Sequence, residues 1–151
     1  MPHSVLTLAA AILSFFAVFA TPILAAGTDD GSSATASQDR YAEAKALVEG
    51  ENFAAALPIL VSLTSEEPQN ADAWNLLGFT QRKLGNYDEA ALAYETALTL
   101  NPDHLGALEY QGELFLQTGK PDLAKANLER LKGLCGDCEE AEDLEKAIGN
   151  S

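Results

Sequence analysis

Cys135 and Cys138, in the run Cys-Gly-Asp-Cys, are the one arrangement in this 151-residue chain whose types and spacing suit chemistry. No other cysteine exists, so these two pair with each other or stay free. Outside a reducing cytoplasm a structural disulfide is the leading expectation. The loop it closes is small, and the entropic gain is about 2 kcal/mol. The second reading is thiol–disulfide exchange. Cys138, near a helix start, would hold its thiolate more easily than Cys135 at a helix end. That reading lacks the βαβ setting in which such a pair is a redox motif. A metal site would need two more ligands, and His104 is the nearest imidazole. Haem attachment needs a His after the second Cys, and Glu139 stands there.

Other chemistry finds little support. The chain shows no Ser-His-Asp set, no glycine-rich phosphate loop and no histidine-rich cluster, so no catalytic residue, cofactor or metal is assigned. Glu109 and Glu113 are one helical turn apart and read as a like-charge surface pair. His104 reads as an exposed turn residue. The formal charge of −14 lies wholly beyond residue 28. A surface so acidic disfavours nucleic acid and anionic lipid and leaves a basic partner open. Nothing points to a small-molecule substrate.

Helical periodicity says what must position the cysteines. Trp74, Leu77 and Leu84 recur at helical spacing, as do Ala90, Tyr94, Ala97 and Leu98. Gly85 between them can end one helix in the left-handed conformation, Asn86 can cap the next, and Pro102 stops it. Small Gly78 and Ala90 allow the two helices a close approach. The same frame recurs one unit downstream, with Leu108, Gly112, Phe115, Gly119, Ala124, Leu128 and Leu131. It departs at Gln111, an apolar position. One unit upstream the frame recurs more loosely, with Ala44, Leu47, Phe53, Ala56, Leu60, Leu63 and Pro68. There the first helix is expected from about Gln38 to Val48. Pro58 is expected to kink the second, and Arg40 and Glu43 to face solvent. After Cys138, the amphipathic stretch holding Ala141, Leu144, Ala147 and Ile148 reads as a cap over the last apolar face. Gly136 would end the preceding helix and Asp137 would N-cap this one, with Glu140 completing a capping box.

Residues 71–104 resemble the tetratricopeptide repeat, through Trp74, Leu77, Gly78, Gly85, Tyr87, Ala90, Tyr94, Ala97 and Pro102 at that family's spacings. The resemblance implies an all-α, right-handed solenoid of three helix-turn-helix repeats (37–70, 71–104 and 105–138), closed by a capping helix and tail over 139–151. It also implies partner binding in a concave groove lined by the first helix of each repeat. The positions carried over include Tyr41 and Lys45 in the first repeat, Asn75, Phe79 and Arg82 in the second, and Glu109 and Glu113 in the third. Lys83 stands beside Arg82, and Tyr110 sits at the rim. The family's carboxylate clamp is matched by Asn75 alone, so an acidic C-terminal tail is a poor ligand. The Cys-x-x-Cys-Glu-Glu run followed by an acidic helix is similar to the tail of small secreted bacterial members.

Residues 5–26 are apolar and uncharged, with small residues toward the end. They read as a signal peptide over 1–26, the alternative being an uncleaved anchor. Residues 27–36 read as a flexible leader. The whole chain therefore reads as a non-catalytic protein-binding scaffold of a bacterial periplasm. A thiol-redox accessory protein and a membrane-tethered assembly factor are the alternatives.

Overall fold

The computed structural model describes residues 30–151. The signal peptide or anchor expected over 1–26 lies outside the described residues. Those described form seven helices: α1 (Asp30–Glu49), α2 (Phe53–Glu66), α3 (Ala71–Lys83), α4 (Tyr87–Leu100), α5 (Leu105–Gln117), α6 (Pro121–Cys135) and α7 (Glu139–Gly149). Successive pairs form three hairpins. Across hairpins the backbones of α1 and α3, and of α3 and α5, come close, whereas those of α2, α4 and α6 stay apart from one another. A stack whose first helices are crowded and whose second helices are splayed curves with the first helices inside, which yields an all-α solenoid.

The hairpins are closed by one local device, repeated at the same place in each unit. Glu51, Gly85 and Gly119 all take positive φ, at 54°, 83° and 72°. The next amide donates back across each helix end: Asn52 N–H to the Leu47 carbonyl at 2.8 Å, Asn86 to Gln81 at 2.9 Å, Lys120 to Phe115 at 2.7 Å. These bonds satisfy carbonyls that the helix end leaves open. The first hairpin does this with a side chain that the left-handed region penalises. Glu51→Gly is therefore expected to stabilise the fold by about 0.5–1 kcal/mol in chemical denaturation. An unchanged or lowered midpoint would show that this turn carries no strain.

The starts of the first helices repeat with the same period. Asn70 Oδ1 accepts from Ala73 N–H at 3.1 Å and caps α3. At the equivalent position one repeat further on, His104 Nδ1 accepts from Ala107 N–H at 3.2 Å and caps α5. His104 is thus a half-buried cap, not the exposed turn residue expected. Asn86 stands at the start of α4 but makes no side-chain cap; its amide donates to Gln81 Oε1 at 2.7 Å.

Small residues set the helix spacing. A Cβ on Gly78 would lie 2.7 Å from the ring of fully buried Tyr94, so α3 and α4 meet at that ring. A Cβ on Gly112 would lie 2.6 Å from Leu144, a residue of α7. The capping helix therefore supplies in the third hairpin the contact that Tyr94 makes in the second. The apolar mismatch at Gln111 has a polar solution. Buried Asn127 donates to Gln111 Oε1 at 3.0 Å and to the Leu108 carbonyl at 2.9 Å.

Four local expectations are corrected. Helix α1 starts at Asp30, so residues 30–36, read as a flexible leader, are helical. Ser37 is buried and donates to the Glu67 carboxylate, which docks this early segment on the α2–α3 turn. Arg40 does not face solvent freely but pairs with Glu66 of α2, which also accepts from Ser62 at 2.7 Å. Leu84 falls outside α3 as its C-cap and is exposed. Helix α7 starts at Glu139 with Cys138 as its N-cap and no side-chain cap, so the Asp137–Glu140 box is not formed. Pro58 is exposed within α2, and the helix continues through it to Glu66.

Candidate partner-binding groove

Every groove residue named from the sequence lies on α1, α3 or α5, the helices that line the inner face. The structure gathers five of them at its centre. The Phe79 and Tyr110 rings stand 4.8 Å apart, and Phe53 meets Phe79 edge-on at 6.1 Å. The Arg82 guanidinium lies 5.3 Å from the Phe79 ring centre and 5.9 Å from that of Tyr110. Its Nη2 is 2.5 Å from Glu113 Oε2. Arg82 is buried, so it serves the inter-repeat contact between α3 and α5 and does not stand free for a partner. Lys83, next in sequence, is exposed, with its ammonium 5.7 Å from the rings of both Phe53 and Phe79.

Glu109 and Glu113 are not the solvated surface pair expected. Glu113 is committed to Arg82, and Glu109 is only 7% exposed. Burial pushes the Glu109 carboxyl up to about 8, helped by Glu113 on its own helix and by Asp143 and Glu140 on α7; Arg82 opposes the shift. Burial also raises the Tyr110 phenol to about 12, with Glu109 and Glu113 adding to the effect.

Tyr41, Lys45 and Asn75 lie apart from this cluster. Tyr41 is half-buried, and burial and the Asp72 charge raise its phenol above the ordinary range. It lines a polar cleft of about 280 Å³ with Ser37, Gln38, Glu67, Asn70 and Asp72. Hydrogen bonds from Ser37 and Asn70 hold the Glu67 carboxyl below its ordinary value. Lys45 is exposed, 3.8 Å from Glu49. Asn75 Oδ1 is buried without a hydrogen-bond partner among the described residues. Nearby, His104 Nε2 lies 3.0 Å from Asp72 Oδ1 without an aligned hydrogen bond. At the other end a second cleft of about 370 Å³ runs between α5 and α7, lined by Glu113, Leu116, Gln117, Ala147, Asn150 and Ser151.

Two contributions escaped sequence reasoning. Phe53 belongs to the second helix of its repeat, and its spacing marks it only as a packing residue. Helix α7 lines the groove as well as covering the core. Its apolar stripe was legible, but the direction of its opposite face was not.

Cys135 and Cys138 are joined, at the corner between α6 and α7. Cys138 packs on the core of Leu108, Leu128, Leu131, Ala141 and Leu144, so the bond fixes α7 to the last hairpin. Cys135→Ser/Cys138→Ser should lower unfolding stability by about 2 kcal/mol. Equal stability of the oxidised protein and this variant would show that packing alone holds the cap.

Comparisons with known proteins agree on the repeat. Family models described as tetratricopeptide repeat match residues 71–104 and residues 41–79. Protein FlbA of Caulobacter vibrioides is 30% identical over 77 residues, which are 51% of this chain and 13% of FlbA. This chain thus spans a small part of that relative's length. The first TPR of Spaghetti (RPAP3), solved bound to the HSP90 peptide SRMEEVD, superposes with a TM-score of 0.68 at 17% identity, covering 76% of this chain and 90% of that one. The Yersinia enterocolitica type III secretion chaperone SycD, solved with a peptide of the translocator YopD, gives 0.65 at 18% identity, covering 75% and 86%. At these identities the two structures speak for the fold alone.

Proposed function

Because this chain belongs to the tetratricopeptide repeat family, we propose that it is a non-catalytic binding module that holds a segment of a protein partner along its inner face. The observation that carries this reading is the inner face itself. A closed aromatic and ionic centre is flanked by two open clefts of about 280 and 370 Å³. Tyr41, in the first cleft, and Phe79, at the centre, are only half-buried, and Lys83 is exposed. An extended or helical segment can lay its side chains in the clefts while its backbone crosses the centre. The two solved structures that match the fold hold peptides in their own proteins. The site of action we propose is the bacterial periplasm, reached through the apolar N-terminal segment; a chain that kept this segment would act as a tethered assembly factor.

Photo-crosslinking in the native host tests the reading without destabilising the fold. A crosslinking side chain is placed at Gln38 or Gln117 on the inner face, or at Leu92, which is 65% exposed on α4. Capture of one defined protein from both inner positions and not from Leu92 supports the groove. Capture from Leu92 alone moves the interface to the outer face and overturns it. The mass of the purified chain then reads whether residues 1–26 are retained.

A further inference from the structure

The contact between α5 and α7 brings several carboxyl groups together, with Lys146 of α7 the basic side chain beside Glu113 and Asp143. Leu144 sits where a Cβ of Gly112 would be, which sets the register of the two helices. One turn from Gly112 lies Glu109, and beside Leu144 lie Asp143 and, one turn away, Glu140. Glu109 is 7% exposed, and its carboxyl makes no hydrogen bond or ion pair among the described residues. Of the cations facing this region, Arg82 of α3 is committed to Glu113, and Lys146 of α7 lines the cleft beside Glu113 and Asp143 but is not paired with Glu109. The remaining neighbour of note is the Tyr110 ring on α5, whose phenol stays neutral through the pH range considered below. A carboxylate buried in such a place has no counter-charge paired with it, so burial favours its acid form.

We propose that α7 is a proton-dependent lid over the end of the groove: it is seated on α5 while Glu109 keeps its proton, and it loosens as that proton is lost. The proposal concerns regulation of the groove and rests on the binding reading only for its purpose, because the seating of α7 is a property of the isolated chain. Its sign follows from the folded value near 8 against an ordinary 4.5. The seated state binds the proton more tightly than the open state. Seating is therefore strongest at acid pH and weakens progressively as pH rises toward about 8, beyond which it changes no further. Glu113, Glu140 and Asp143 contribute by disfavouring a further negative charge, and Arg82 opposes them. The Cys135–Cys138 bond and the Lys132–Glu145 pair, at 2.7 Å, keep α7 attached at its start and middle, so loosening is local.

The test is amide hydrogen exchange of the full oxidised chain at pH 6.5 and pH 9.0, corrected for intrinsic exchange, with no partner added. In the wild type the protection of α7 amides should fall about tenfold or more over this range, while α3 and α4 keep theirs. In Glu109→Gln the fall should disappear, since the amide stays neutral in the same volume. Asp143→Asn should leave a smaller fall than in the wild type. Equal α7 protection at the two pH values in the wild type, or an undiminished fall in Glu109→Gln, overturns the proposal. Crosslinking from the outer face overturns the groove reading without touching this result.

Discussion

Replacing Arg82 with alanine is expected to lower unfolding stability by about 3–5 kcal/mol, a large share of what a domain of this size possesses. The guanidinium is 5% exposed, pairs with Glu113 at 2.5 Å, and lies against the rings of Phe79 and Tyr110. Its removal takes away the positive charge that offsets Glu113, Glu140 and Asp143 at Glu109. It also opens a gap between two aromatic rings at the junction of α3 and α5. The charge and packing effects can be separated. Arg82→Met keeps much of the volume and leaves Glu113 unpaired. Arg82→Met/Glu113→Gln removes both charges and should recover at least half of the loss, because replacing both partners of a buried pair is far cheaper than orphaning one. Urea titrations of the wild type, Arg82→Met, Glu113→Gln and the double variant give the cycle directly. A loss below about 1 kcal/mol for Arg82→Ala would mean that the pair is as well screened as a surface salt bridge.

The second large effect lies where Tyr94 meets Gly78. Tyr94→Ala should cost about 3–5 kcal/mol, since it empties a fully buried aromatic site between α3 and α4. Gly78→Ala should cost about 1–2 kcal/mol, even though alanine is the better helix former by about 1 kcal/mol. A rigid ring 2.7 Å from the new Cβ has no rotamer by which to retreat. The two residues are therefore coupled. The first repeat shows a natural alternative, with Ala44 and Leu60 at the equivalent positions, both fully buried. Gly78→Ala/Tyr94→Leu copies that pair. It should be more stable, by about 1 kcal/mol or more, than the sum of its two single variants predicts. Strict additivity would show that the ring moves aside freely and that glycine is dispensable there.

Most of the fold is visible in single residues of the chain. Trp74, Leu77 and Tyr94 announced the second hairpin, and Gly85 and Gly119 marked its turn and the next. Pro121 opens α6, at a position where a missing amide hydrogen costs nothing. These features act within one or two helical turns, and such short-range physics leaves a direct imprint on sequence. The same physics misjudged the start of α1. Ser37, just after the helical stretch 30–36, docks on Glu67, 30 residues away, and no local pattern links the two. The residues proposed for a groove lie on α1, α3 and α5, but their offsets did not reveal that Arg82 and Glu109 are buried. Offsets within a repeat say which side of a helix a residue occupies, but they cannot say what the next repeat presses against it.

By itself the sequence determined the repeat period, the helix–turn–helix unit and its closing turns, the capping stretch, and that the two cysteines had no other cysteine to pair with. Each follows from intrinsic backbone preferences or from the absence of any other partner. Only the tertiary structure decided that Arg82 closes on Glu113, that Glu109 is buried, and that Leu144 enters the space left by Gly112. Those outcomes depend on the angle and register between successive hairpins. That angle is the sum of many small side-chain contacts across the stack, to which no single residue or local pattern gives access.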